Sequence, residues 1–218
     1  MAVKIRILIV DDHAIMRGGL RAIIGFEQDM EVVGEASDGY EAVDKAIELD
    51  PDVILMDLLM PGKDGIEAMA DIRAKLPEAH FLVLTSFAET DKMLLAVKSG
   101  AQGYILKNAP PEELLNVIRE VSRGAISFQP AIARQIIDGL AKIDNVEAPE
   151  EALTGREMEI LLLVARGFTN DEIADKLTIS KRTVNVHINN ILGKLHLVNR
   201  AQVVLYALRN GLISVFQK

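Results

Sequence analysis

Three carboxylates, a hydroxyl and an ammonium group each stand at the end of a short apolar run of the sequence or directly after one. These residues are Asp11, Asp12, Asp57, Thr85 and Lys107. If the runs are neighbouring strands of a parallel sheet, their carboxyl ends meet at one edge and the five side chains converge there. Crowded carboxylates repel one another unless a cation lies among them, and Mg²⁺ favours one or two carboxylates together with a phosphate.

This set of residues is suited to phosphoryl transfer. A carboxylate can attack phosphorus and form an aspartyl-phosphate. Mg²⁺ on one side, with Lys107 and Thr85 on the other, would give each equatorial oxygen of the transferring group a positive or donor partner. Taken singly, the acids are explained as helix caps, the lysine as a solvated side chain and the threonine as bonded to backbone. Five such residues at matching strand ends are hard to explain separately, so we predict a phosphoryl-accepting pocket.

The elements that must position these residues form five β-then-α units. Strand-length apolar runs alternate with segments of helical spacing, which predicts an α/β fold with a doubly wound, parallel, five-stranded sheet. The predicted strands are 5–10, 31–36, 53–56, 81–85 and 104–106. After residue 125 the periodicity is helical, and the predicted helices are 155–166, 170–177, 181–195 and 200–210. Two capping boxes, Thr154 with Glu157 and Thr169 with Glu172, begin the first two of these helices.

Charge divides the chain in the same way. The net charge is −8, but residues 1–125 carry 13 Lys and Arg against 22 Asp and Glu, whereas residues 151–218 carry 9 against 6. From Lys176 onward there are seven basic residues and no acid. A one-signed basic segment is typical of a polyanion-binding surface, although a solvated basic helix has the same composition. We predict a first domain at 1–124, a partly helical linker at 125–152 and a helical domain at 153–218.

Helices 170–177 and 181–195, joined by a two-residue turn, have the pattern of a helix-turn-helix. The polar face of the second helix carries basic, hydroxyl and amide side chains that suit DNA. Asn can contact N6 and N7 of adenine, while Lys, Arg and Thr near the helix N-terminus can contact phosphates. An isolated Asn on a helix is more often merely solvated. The candidate DNA-binding residues are Lys181, Arg182, Thr183, Asn185, Asn189, Asn190 and Lys194.

The composition excludes several other kinds of site. There is no cysteine, which removes thiol nucleophiles, disulfides and cysteine-ligated metals. The four histidines, His13, His80, His187 and His196, show no paired ligand spacing, so no transition-metal site is expected. No apolar run is long enough to span a bilayer and no signal peptide opens the chain, so a soluble cytoplasmic protein without membrane contact is expected.

Residues 1–124 resemble the receiver domain of bacterial two-component response regulators. The similarity lies in ILIVDDH at 7–13, ILMDLLMPGKDGIEA at 54–68, VLTSF at 83–87 and GAQGYILK at 100–107. The resemblance implies that Asp57 is the phosphoacceptor, and that Thr85, Tyr104 and Lys107 bind the phosphoryl group or switch with it. It also implies a Mg²⁺ site made by Asp11, Asp12, Asp57 and the backbone carbonyl of Leu59, with Pro61 and Gly65 shaping the loop after Asp57.

Residues 153–213 resemble the LuxR-type DNA-binding domain, in LTGRE at 153–157, Gly167, EIA at 172–174 and TVNVH at 183–187. Together the two halves resemble the NarL/FixJ family. That resemblance implies a sensor histidine kinase, promoter DNA and a homodimer on activation as partners. It makes the last helix a pairing surface, with Val203, Val204 and Ala207 as candidates, although these residues are equally explained as internal core. Members of the family often carry lysine where this chain has Asn185 and Asn189.

The sequence therefore predicts a phosphorylation-dependent transcription regulator rather than an enzyme with an external substrate. An aspartyl-nucleophile phosphatase is the enzymatic alternative, but such enzymes need a second acid two residues after the nucleophile, where this chain has Leu59. A receiver that is never phosphorylated is the third alternative, and the intact acidic set argues against it. Because Leu59 and Phe87 are both apolar and cannot orient a water molecule, slow self-dephosphorylation is expected.

Overall fold

The computed structural model describes residues 4–86, 90–128, 132, 135 and 152–213. Phe87 and most of the predicted helical segment of the linker lie outside the described residues. No helix of the described part of the chain is long and apolar enough to cross a membrane.

The first domain is built on a parallel sheet with the strand order β2-β1-β3-β4-β5-β6. The strands are β1 (Ile5–Val10), β2 (Met30–Ala36), β3 (Val53–Asp57), β4 (Phe81–Thr85), β5 (Ala101–Leu106) and β6 (Ser127–Phe128). The predicted five-stranded parallel sheet is confirmed, and a sixth strand of two residues extends it beyond β5. Strand β6 was not predicted, because two residues are too few to show a periodic pattern.

Helices cover both faces of this sheet, which is why its central strands are mostly apolar. The helices are α1 (Ala14–Gly25), α2 (Gly39–Leu49), α3 (Gly65–Lys75), α4 (Thr90–Lys98) and α5 (Pro111–Ser122). Side chains alternate along each strand, so Ile7 and Ile9 pack in one apolar cluster with residues of α1 and α5. Leu8 and Val10 pack in the opposite cluster with residues of α2, α3 and α4.

The second domain is helical, as predicted. Its helices are α6 (Gly155–Ala165), α7 (Asn170–Leu177), α8 (Lys181–Lys194) and α9 (Arg200–Arg209). Both predicted capping boxes form, with Thr154 and Thr169 each accepting a backbone N–H from the glutamate three residues later. An apolar cluster that includes Ile160, Val184 and Ile191 joins the four helices.

Helix α9 also contacts the first domain, at α4 and β5. The Asn199 Nδ2 group donates to the carbonyl oxygens of Val97, at 2.8 Å, and Lys98, at 3.1 Å, which are the last two residues of α4. The Oδ1 atom of the same side chain accepts from the Gln202 N–H at 3.1 Å and so caps α9. Ala201 and Leu205 are buried and belong to the apolar cluster that contains α4.

Candidate functional site

The strand register brings the predicted acidic residues together at one edge of the sheet. Val10 of β1 lies opposite Met56 of β3, so the residues that follow them, Asp11 and Asp57, are neighbours. The Lys107 ammonium lies between these two carboxylates, 2.6 Å from Asp57 Oδ2 and 2.7 Å from Asp11 Oδ2. Both acids are buried, with 0% of Asp11 and 3% of Asp57 exposed. Asp11, Asp57 and Lys107 therefore lie together at this edge of the sheet.

The loops around Asp57 and Asp11 hold these carboxylates in place. A Cβ atom at residue 65 would overlap the carbonyl oxygen of Asp57, so glycine is required there for α3 to begin so close to β3. The Leu59 N–H donates to Asp57 Oδ1 at 3.2 Å. On the other loop, Asp11 Oδ1 accepts from the His13 N–H at 2.8 Å, and the Arg17 guanidinium donates to the Asp11 carbonyl oxygen at 2.8 Å.

Burial and the nearby lysine act in opposite directions on the charge of Asp57. Removal from water disfavours the carboxylate and raises the pKa of Asp57, and the hydrogen bond from Lys107 only partly offsets this effect. For Lys107, burial disfavours the ammonium, but the hydrogen bonds to Asp11 and Asp57 outweigh it and raise its pKa. Lys107 is thus a charged donor fixed beside the candidate phosphoacceptor.

The same edge offers a set of ligand atoms for a cation. Asp11, Asp12, His13 and Asp57 each provide one such atom, and these atoms lie within 4.8 Å of one another. Three of the four groups are carboxylates, which is the oxygen-rich chemistry that Mg²⁺ prefers, so the residues fit this ion. His13 was expected to be one of four scattered histidines without a ligand role, yet its Nδ1 lies 2.7 Å from Asp12 Oδ1. His13 directly follows Asp11 and Asp12 in the sequence, and this position could have indicated that it belongs to the same cluster. A role for the Leu59 carbonyl stays a prediction.

Thr85 and Tyr104 lie on the two strands that follow β3 across the sheet, β4 and β5. Thr85 ends β4 and is buried, and its carbonyl oxygen accepts from the Lys107 N–H at 2.8 Å. Tyr104 lies on β5, opposite Val83 in the register, and only 1% of it is exposed. Thr85 therefore lies at the same sheet edge as Lys107, and Tyr104 lies two residues before the end of its strand. A switching movement of either residue stays a prediction.

The predicted DNA-binding residues lie on α8, and they differ in exposure and in whether another side chain of the protein already binds them. Lys181, Arg182, Asn189 and Asn190 are exposed. Lys181 pairs with Asp171 at 2.9 Å, and Lys194 pairs with the capping-box residue Glu157 at 3.0 Å, so each of these two lysines has an internal partner. Thr183 bonds to the Ser180 hydroxyl at 2.8 Å.

One exposed residue of α8 was not predicted. Val186 is 51% exposed, one helical turn from both Arg182 and Asn190. An apolar side chain on a DNA-reading helix can contact the methyl group of thymine. The signal was available, because Val186 falls outside the buried stripe that Val184 and Ile188 define.

Asn185 is the other residue whose surroundings the sequence did not reveal. It is half-buried, and its Oδ1 accepts from the Asn170 Nδ2 group at 2.7 Å. Asn170 Oδ1 accepts in turn from Arg200 Nη1 at 2.6 Å. Arg200 also donates to the carbonyl oxygen of Phe168. Residues from three helices thus meet in one hydrogen-bonded chain.

The candidate pairing residues of the last helix lie inside the second domain. Val203 and Ala207 are 1% and 0% exposed, and Val204 is buried beside them in the same apolar cluster. Internal core, which the sequence left open as the alternative, describes these three positions. A pairing surface on α9 must therefore use other residues, because side chains enclosed in their own domain have no area left to bury against a partner.

A parallel sheet with a lysine-bridged acidic edge, followed by a helix-turn-helix, defines a signalling protein that binds DNA. Family models agree: residues 7–119 match the response regulator receiver domain, and residues 151–207 match the bacterial regulatory proteins of the luxR family. The chain belongs to the two-component response regulators of the NarL/FixJ family and is a signalling transcription regulator.

Related proteins share both domains. The transcriptional regulatory protein LiaR of Bacillus subtilis is 45% identical over 210 residues, which covers 96% of this chain and 100% of LiaR. Among solved structures, the response regulator ChrA of a heme-sensing two-component system is 35% identical with a TM-score of 0.53, over 96% of this chain and 99% of ChrA. RcsB, solved as two dimers on two parallel DNAs, is 26% identical with a TM-score of 0.57, over 94% of this chain and 98% of RcsB.

Proposed function

We propose that Asp57 accepts a phosphoryl group from a sensor histidine kinase, in a reaction that requires Mg²⁺, and that the phosphorylated chain binds promoter DNA as a dimer. One observation carries this proposal: a buried Asp57 lies 2.6 Å from a lysine ammonium and beside two further carboxylates. That arrangement pairs a nucleophile with a fixed positive charge and with ligands for a divalent cation.

In the transfer, a carboxylate oxygen of Asp57 forms a bond to phosphorus while the bond from phosphorus to the donor's nitrogen breaks. The Lys107 ammonium, already at Asp57 Oδ2, is placed to bond an oxygen of the incoming group. Bound Mg²⁺, held by Asp11, Asp12 and Asp57, would neutralise charge that develops on the phosphoryl oxygens. Burial keeps bulk water away from Asp57 and so protects the acyl phosphate that forms.

Labelling of the full chain by a small phosphodonor tests the phosphoacceptor. With radioactive acetyl phosphate and MgCl₂, Asp57→Asn should abolish labelling, because an amide nitrogen is not a nucleophile toward phosphorus. Asp44→Asn is the matched control, since it removes an exposed acid of α2 away from the sheet edge. Undiminished labelling of Asp57→Asn would place the phosphoacceptor elsewhere, and labelling that is unchanged by a chelator would remove the role of Mg²⁺.

The contact between α4 and α9 gives phosphorylation a route to the DNA-binding domain. We propose that the chain populates a closed form in which Ala201 and Leu205 of α9 are covered by the first domain, and that phosphorylation shifts the population toward an open form. Helix α4 follows β4, which ends at Thr85, so a movement of Thr85 toward a phosphoryl group acts on the strand that leads into the contact. Dimerisation on DNA is supported by RcsB, which was solved as dimers on DNA.

A further inference from the structure

The hydrogen bonds around Asn185 determine which of its atoms can face DNA. Arginine only donates hydrogen bonds, so the atom of Asn170 that faces Arg200 is the acceptor Oδ1. The other end of the Asn170 amide is then the donor Nδ2, and its partner on Asn185 must be the acceptor Oδ1. The hydrogen bonds that link Arg200, Asn170 and Asn185 therefore all run in one direction, because Arg200 can only be a donor.

The arginine that starts this chain is firmly held. Arg200 is largely buried, and burial lowers its pKa to about 10, so the guanidinium still carries its charge at neutral pH. Its Nε–H group is buried and donates to no acceptor among the described residues, which makes the acceptors at Asn170 and Phe168 more important to it. Rotation of the Asn170 amide would replace a charge-assisted bond by an N–H facing a cation, which is strongly unfavourable.

An asparagine that reads adenine in the major groove uses both ends of its amide, because Oδ1 accepts from N6 and Nδ2 donates to N7. Asn185 has its Oδ1 turned toward Asn170, so it offers DNA its N–H groups. Its natural base partners are acceptor atoms. Guanine presents two of them side by side, N7 and O6, and thymine presents O4, whereas adenine presents N7 beside the donor N6. This differs from the adenine contact expected from sequence alone. Asn189, which is exposed on the same face, is not part of this chain of bonds.

We infer that Asn170 and Arg200 are specificity-determining positioning residues: they hold Asn185 as a hydrogen-bond donor, so that it selects a guanine or thymine edge. This inference rests on the proposed DNA-reading role of Asn185. Neither positioning residue lies on the reading helix, since Asn170 begins α7 and Arg200 begins α9. A lysine at position 185 could not accept a hydrogen bond from Asn170, so this positioning depends on the asparagine that the protein carries there.

Asn170→Asp is the decisive variant. The aspartate still accepts from Arg200, now as an ion pair, but has no N–H to donate, so Asn185 must turn its Nδ2 toward residue 170 and present Oδ1 to DNA. The expected result is a change of about tenfold in preference at one base pair, from guanine or thymine to the donor bases adenine or cytosine. Asn170→Ala removes the constraint without adding charge and should relax the preference at the same base pair.

The measurement is selection from a random double-stranded DNA pool by the full chain, with BeF₃⁻ and MgCl₂ present, followed by sequencing of the bound fraction. The double variant Asn170→Asp with Asn185→Ala is the control for charge: the added negative charge weakens binding to all sequences, but the change of preference should vanish. Thermal melting checks that each variant is folded. If Asn170→Asp does not fold, the base preference of Asn170→Ala alone tests the inference.

The possible outcomes separate this inference from the proposed function. A defined wild-type preference that is unchanged by Asn170→Asp and Asn170→Ala overturns the positioning role alone. A wild-type preference that is unchanged by Asn185→Ala shows that Asn185 does not read a base, and this also overturns the inference. If the wild-type chain selects no sequence at all, DNA reading and positioning are both overturned.

Discussion

Replacing Asn199 by aspartate should open the contact between the two domains without weakening α9. The side chain has two roles: its Nδ2 donates to the Val97 and Lys98 carbonyl oxygens, and its Oδ1 caps α9. Aspartate is as good an N-cap as asparagine, so the cap is kept. It has no N–H to donate, and its charge lies against the C-terminal carbonyl end of α4, where a negative charge is unfavourable.

The size of the effect follows from the two lost bonds. Each contributes about 1 kcal/mol, so the closed form loses about 2 kcal/mol, which shifts the equilibrium between closed and open forms about 30-fold. The unphosphorylated variant should therefore bind a selected DNA duplex up to about 30-fold more tightly than the wild type, and its radius of gyration should rise. BeF₃⁻ should have correspondingly less effect on the variant than on the wild type.

Fluorescence anisotropy at fixed salt measures the affinity, and small-angle scattering measures the size. Asn210→Asp is the matched control, because it makes the same charge change on an exposed residue at the other end of α9. If Asn199→Asp binds DNA no more tightly than Asn210→Asp and stays as compact as the wild type, the α4–α9 contact does not restrain the chain.

Two further predictions concern other parts of the first domain. The Lys45 hydrogen bond and the Ser37 N–H lower the pKa of Glu41 from 4.5 to about 2, so the stability it adds is present above about pH 4.5 and is lost as the pH falls toward 2. Glu41→Gln should cost about 1 kcal/mol at pH 7, after allowance for solvent screening, and nothing near pH 2, as urea unfolding at both pH values would show; an equal cost at both would refute it. Self-dephosphorylation should be slow because the Leu59 side chain cannot orient water, and Leu59→Gln should shorten the lifetime of the label; a wild-type half-life of seconds would contradict this.

The sheet and its acidic edge were accessible from sequence because they follow from short-range patterns. The apolar run at 5–10 gives the bounds of β1, and parallel register then carries Asp11 and Asp57 to one edge. The capping boxes likewise place the starts of α6 and α7 at the residues found. In each case a few neighbouring residues contain the whole signal, and the fold rule that extends it is general.

The contacts that the sequence could not reveal join side chains from distant elements. Asn199 and Val97 are 102 residues apart, and Asn185 and Asn170 are 15 apart on different helices. An asparagine on a helix has the same appearance in sequence whether it is solvated, bonded to another helix or in contact with DNA. The last helix shows a related ambiguity, because an apolar stripe that contains Val203 fits a domain core and a pairing surface equally well.

The affinity for DNA and the base preference are expected to change separately, because different residues control them. Asn199 acts on the affinity, and its neighbour Arg200 acts with Asn170 on the base preference. Asn199 acts on α4, so its replacement changes how much of the chain is open but leaves the Arg200 bonds and the cap of α9 in place. Asn170→Asp acts on the Asn185 amide and should change base preference equally with and without BeF₃⁻. A change of preference in Asn199→Asp would show that the domain contact and the reading helix are coupled through the first turn of α9, since substitutions at residues in contact are not additive.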